Sequence, residues 1–84
     1  MVNKREDKFV PSGNLLNRVL RILLKSKIGR TALAKKVNVN YARLVKHLEW
    51  LEQKGFVKME IKKGKVNVAL TKTGRKFAKT FSSK

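Results

Sequence analysis

The apolar positions of this chain follow two different periods. In residues 15–24 the spacing is helical: at ~100° per residue, Leu15, Leu16, Val19, Leu20, Ile22, Leu23 and Leu24 cover a wide arc, and Asn17, Arg18 and Arg21 fill the remainder. Ser12 or Asn14 is placed to cap such a helix, which runs to about Ser26. An arc that wide touches protein on more than one side, so the helix is either central in the fold or shared with a second subunit. The pattern breaks at residues 27–30, where Ile28 suits a very short strand. With Thr31 as N-cap, residues 32–37 form a second helix turning Leu33, Ala34 and Val37 inward. Asn38-Val39-Asn40 is then a tight turn, with Asn38 tolerating the left-handed conformation of a helix end. Asn40 caps a third helix over 41–54, with a buried stripe of Leu44, Leu48 and Leu51, Val45 at its border, and Gly55 as its stop.

Beyond Gly55 the period drops to two. Val57, Met59 and Ile61 alternate with Lys58, Glu60 and Lys62, and after Lys63-Gly64 the apolar positions are Val66, Val68 and Leu70. A two-residue turn at Lys63-Gly64 fixes the register, pairing Ile61 with Val66, Met59 with Val68 and Val57 with Leu70. All three pairs are apolar and share one face. Turn and pattern thus specify the same hairpin. Thr71 or Thr73 caps a last helix, along one side of which lie Phe77, Ala78 and Phe81.

Composition adds the partner class. The 84 residues suffice for one domain, expected over residues 13–84 behind a flexible arm of residues 1–12 whose end Phe9 and Val10 pin to the core. The chain has 22 Lys+Arg against 5 Asp+Glu, for a net charge of +17. A compact body so charged repels itself and calls for a polyanion. The charge is not a tail: residues 14–55 hold ten bases and two acids, residues 56–71 four bases and one acid. Without Cys there is neither a disulfide framework nor a thiolate zinc site, and the lone histidine builds no multi-histidine metal site, so no cofactor is expected. No apolar run approaches the ~20 residues of a membrane span and the N-terminus lacks a signal-peptide stretch, so a cytoplasmic protein is expected.

The order helix, short strand, helix, turn, helix, hairpin, helix resembles the winged helix-turn-helix families over roughly residues 14–81. The stretches that carry the resemblance are TALAKKVNVNYARLVKHLEWLEQKGFVKMEI and VALTKTGRKFA. The first is similar to the second and third helices of bacterial and archaeal repressors of the ArsR and MarR type. LEWLEQKGFV and LTKTGRKFA look like the segments flanking their wing. Asn38 stands where many such proteins have Gly. The chain is shorter than most such repressors and shows no added ligand-sensing domain, which makes it more similar to small archaeal winged-helix proteins, some of them chromatin-associated. The resemblance implies an α+β, mostly α fold: a three-helix core, a two-stranded β-hairpin wing and a C-terminal helix. It implies binding to double-stranded DNA, as a transcriptional regulator or a nucleoid protein, with RNA binding or ribosome association as the alternative function.

Within that fold the third helix enters the major groove with its N-terminal half. Opposite its apolar stripe stand Ala42, Arg43 and Lys46, preceded by Asn40 and Tyr41. Arg43 suits bidentate reading of guanine, Lys46 a phosphate, and Ala42 close approach or a thymine methyl. Asn40 has two readings, helix cap and adenine reader. Lys62, Lys63, Gly64 and Lys65 at the hairpin tip suit phosphates or an adjacent minor groove. Arg30, Thr31 and Lys35, with Lys36, sit at or on the second helix, whose amide end can accept a phosphate; the lysines equally suit a solvated face. His47 is a packing or phosphate-contacting residue, and Trp50 covers core or a dimer contact.

An enzyme needs convergent acids, an activated nucleophile or a phosphate loop. The acids Glu6, Asp7, Glu49, Glu52 and Glu60 offer no such set, so catalysis is not expected. A protein-docking winged helix is disfavoured by the net charge of +17. Finally, the excess apolar arc of the first helix, with Phe77 and Phe81 of the last, leads us to expect a homodimer through those two helices, the competing account being that the arm covers the excess within one chain.

Overall fold

A computed structural model describes residues 9–82 of the chain. Its elements are α1 (Gly13–Lys25), β1 (Ile28–Gly29), α2 (Arg30–Val37), α3 (Tyr41–Gln53), β2 (Val57–Lys62), β3 (Lys65–Leu70) and α4 (Lys72–Ser82). Ser12 caps α1 through its hydroxyl, which accepts from the Leu15 amide at 3.3 Å. The wide arc of α1 gives it a central place in the fold: it packs against α2, β3 and α4 of its own chain. Leu15, Leu16, Val19, Leu20 and Leu23 are buried, while Ile22 and Leu24 at the edges of the arc are half-buried.

Two helix ends use the same chain-reversing device with different residues. At the end of α3 the Gly55 amide donates to the Glu52 carbonyl and the Phe56 amide to the Leu51 carbonyl, with Gly55 at φ 81°. At the end of α2 the Asn38 amide donates to Lys35 and the Val39 amide to Ala34, with Asn38 left-handed at φ 56° and ψ 53°. This pair of bonds requires a left-handed residue, which glycine adopts freely and asparagine tolerates. One boundary differs from the sequence expectation: α2 starts at Arg30, with Gly29 at the N-cap position and no side-chain cap, so Thr31 lies inside the first turn. Pairing of Ile28 and Gly29 with β3 holds the preceding backbone extended and fixes that start.

The hairpin register is as the pattern predicts: Val57 faces Leu70, Met59 faces Val68 and Ile61 faces Val66. Lys63 and Gly64 turn the chain with φ 48° and 78°, the pair of positive values of a type I′ turn. The expected two-stranded wing is part of a three-stranded antiparallel sheet in the order β1-β3-β2, because β1 adds to the free edge of β3. A strand of only two residues carries too little alternation to predict such pairing.

Helix α4 is fastened to the base of the hairpin. Thr71, rather than Thr73, caps it: its hydroxyl accepts from the Gly74 amide at 2.9 Å and donates to the Gly55 carbonyl at 2.6 Å. The Thr71 amide donates to the Phe56 carbonyl at 3.0 Å. Gly74 lies so close to this turn that a Cβ on it would stand 1.7 Å from the Phe56 carbonyl oxygen. Phe56 stacks on Phe77 at 4.1 Å, Phe77 meets Phe81 at 5.3 Å, and Trp50 closes the cluster at 6.5 Å from Phe56. The aromatic residues of α4 and Trp50 thus complete the core of one chain.

Candidate nucleic-acid interface

The N-terminal half of α3 is held from below and open above. Its stripe of Leu44, Leu48 and Leu51 is buried, whereas Tyr41, Ala42, Arg43 and Lys46 are exposed on the opposite side. The Asn40 Oδ1 accepts from the Ala42 amide at 2.8 Å and the Arg43 amide at 3.3 Å. That cap anchors the first turn and fixes the backbone from which Arg43 projects. A bidentate contact from Asn40 to adenine needs the same oxygen, so it competes with the cap.

Next to this surface runs an open groove between α2 and the start of α3, of about 420 Å³, lined by Thr31, Ala34, Lys35, Asn38, Val39 and Tyr41. The fold thereby brings Thr31, Lys35 and Tyr41 together although ten residues separate the first and last in sequence. Tyr41 is 44 % exposed there. Arg30, the first residue of α2, is half-buried. Lys36 does not join them. It lines a second groove on the α1 side of α2, because neighbours on a helix point ~100° apart.

His47 leaves this surface. It is 1 % exposed, too deep to reach a phosphate. The Ser12 amide donates to Nε2 at 3.0 Å, so the ring proton resides on Nδ1, which donates to the Arg43 carbonyl at 2.9 Å. Phe9 meets the ring edge-on at 5.0 Å, and the Lys46 ammonium stands 5.9 Å from the Phe9 ring. His47 thus pins residues 9–12 to α3. Pinning involves Phe9 and Ser12 but not Val10, which is 83 % exposed. The rest of the expected flexible arm, residues 1–8, lies outside the described residues. A lone histidine one position from the apolar stripe was the available sequence signal; the pairing partner, 35 residues away, was not visible.

At the wing, Lys62, Lys63, Gly64 and Lys65 are all exposed around the turn. Ile61, the outermost apolar residue on the inner face, is 73 % exposed among them. One residue further from the tip, Glu60 is bracketed by Lys27 at 2.9 Å and Lys58 at 3.5 Å. The hydrogen bond and charge of Lys27, with a smaller contribution from Lys58, hold the Glu60 carboxyl below the usual carboxylate range. These are the ion pairs among the described residues, so the cations of α3 and of the wing tip face solvent uncompensated. No group of three or more His, Cys, Asp or Glu that could hold a metal occurs among the described residues, and no described helix is long and apolar enough to cross a membrane.

Comparison with known proteins agrees with this architecture. None of the curated proteins matches the chain significantly. Among solved structures, the chain is similar to MepR, a transcription regulator of the Staphylococcus aureus multidrug efflux pump MepA, with a TM-score of 0.78 and 20% identity over 94% of this chain and 61% of that one. It is similar to a MarR family transcriptional regulator from Silicibacter pomeroyi, with a TM-score of 0.73 and 26% identity over 80% of this chain and 49% of that one. It is also similar to the homodimeric winged helix-turn-helix DNA-binding domain of a possible ArsR-family regulator from Mycobacterium bovis, with a TM-score of 0.70 and 17% identity over 82% of this chain and 62% of that one. The chain spans 49% to 62% of the length of these three. A sequence model of the family described as winged helix-turn-helix matches residues 14–83, most of the chain. With four helices, the three-stranded sheet and the α2–turn–α3 unit in place, the chain belongs to the winged helix-turn-helix family.

Proposed function

We propose that this protein binds double-stranded DNA and acts as a transcriptional regulator or nucleoid-associated protein. The observation that carries this reading is the coincidence of a capped, solvent-facing N-terminal half of α3 with uncompensated cations there and at the wing tip. Arg43 reads a base edge from the major groove, Lys46 takes a phosphate, and Ala42 lets the helix approach. Lys62, Lys63 and Lys65, with the small Gly64 between them, straddle phosphates beside the adjacent minor groove. Arg30, Thr31 and Lys35 reach the backbone from the start and side of α2. The DNA-binding domain from Mycobacterium bovis and the transcription regulators of the same architecture support the assignment, and the homodimer of the Mycobacterium bovis domain supports a two-fold arrangement on DNA with half-sites about one helical turn apart.

The test is binding to duplex DNA of candidate operator sequence, random duplex DNA and duplex RNA at one salt concentration. Duplex DNA is expected to bind more tightly than duplex RNA, whose deep, narrow major groove excludes a helix. Preference for RNA would replace this reading with the RNA-binding one. Arg43→Ala separates regulator from coating protein: loss of discrimination between DNA sequences by about 1–3 kcal/mol marks a base reader, and equal losses on every sequence mark a nucleoid protein.

A further inference from the structure

The groove on the far side of α2 differs in chemistry from the one beside α3. It is an open space of about 600 Å³ whose floor is Ile22, Leu24 and Val37 and whose rim is Arg21, Lys25 and Lys36. Arg18, also on the rim, donates a hydrogen bond to the Val37 carbonyl and ties the end of α2 to α1. The groove is therefore held between two fastened helices. No acid lines it, and Arg21, Lys25 and Lys36 make no ion pair among the described residues.

We infer that this groove is a docking site for an acidic amphipathic helix of a partner protein. Two features select that occupant. The apolar floor rewards aliphatic side chains, which a DNA duplex lacks along its phosphate backbone. The cationic rim rewards carboxylates flanking those side chains, as in an amphipathic helix laid in a groove. A second copy of this chain is a poor occupant of this groove, since the cationic rim calls for carboxylates and the chain has only 5 Asp+Glu. Lys35 and Lys36, adjacent in sequence, serve different surfaces: one faces the candidate DNA groove and the other the partner groove. The inference goes beyond the DNA-binding reading and does not depend on it.

The experiment follows the amide resonances of the full chain during titration with a synthetic amphipathic helix carrying leucines at i, i+3, i+4 and i+7 and glutamates elsewhere. Shifts centred on Arg21, Ile22, Leu24, Lys36 and Val37 are expected. The double variant Arg21→Glu/Lys25→Glu is expected to weaken the peptide about tenfold, because two attractions become repulsions. Lys76→Glu/Lys79→Glu on the exposed side of α4 makes the same change in net charge and is expected to leave peptide affinity within about twofold of the parent. A peptide with serines replacing the leucines is expected to lose the groove shifts. Equal weakening by both double variants, shifts centred on α3 and the wing, or an unchanged response to the serine peptide would each overturn the inference. So would displacement of the peptide from the groove by a short DNA duplex that itself shifts the groove resonances.

Discussion

The base and the tip of the β2–β3 hairpin are built on one register and one alternation, yet they serve opposite ends. At the base, Val57 pairs with Leu70 and Met59 with Val68; Val57 and Val68 are fully inside, and Gly74, Thr71 and the Phe56–Phe77 stack clamp α4 onto the same turn. At the tip, Ile61 pairs with Val66 in the same face but is 73 % exposed, surrounded by Lys62, Lys63 and Lys65. The alternation of a strand states which face a side chain takes. It does not state how far the core extends beneath that face. Where the core stops, the hairpin changes from a packed element into an exposed cationic tip.

The sharpest way to break this contrast is Gly74→Ala. In an exposed helix that change stabilises by about 1 kcal/mol. Here the new methyl meets the Phe56 backbone, and we expect a loss of about 3 kcal/mol or more, measured by denaturant unfolding. A next step is to delete equal apolar contacts at each end. Val68→Ala, at 0 % exposure, is expected to cost about 2 kcal/mol, whereas Ile61→Thr stays within about 0.5 kcal/mol of the parent. Comparable costs would mean that the tip is packed as the base is. Lys63→Ala touches the tip alone and is expected to leave unfolding unchanged, reduce affinity for all duplex sequences alike, and lower the salt slope by about one. The smallest effect concerns Glu60, between base and tip. Its carboxyl titrates below the ordinary value in the folded chain, so its stabilising contribution is present above that ordinary value and fades as pH falls through the lowered one. Glu60→Gln is expected to remove this acid-side dependence from the unfolding profile, with little change near neutrality, since the pair is exposed.

Much of this was legible in the sequence because the relevant signals are local. Leu44, Leu48 and Leu51 mark a helix face, Lys63-Gly64 dictates a turn, and Asn38 and Asn40 bracket a reversal by their own side-chain and backbone preferences. What was not legible depends on contacts between distant segments. The start of α2 is set by β1 pairing with β3, which displaced Thr31 from the cap. His47 reads as either a packing residue or a phosphate contact, and the choice is made by Ser12 and Phe9, which arrive from 35 or more residues away as it is buried. The apolar residues of α1 and α4 also pack on each other and on β3, a long-range arrangement that counting apolar positions along the chain does not reveal. The positions of Arg43 and the wing lysines on exposed surfaces could be anticipated, since solvent exposure follows from the same alternation that defines the core.

The central claim is that this surface holds a DNA duplex by neutralising its phosphates. The most direct measurement is the affinity of the full chain for one duplex across a series of salt concentrations. With about five to eight phosphates neutralised, the slope of log K against log salt is expected at about −5 to −7. A nearly flat dependence would contradict the account.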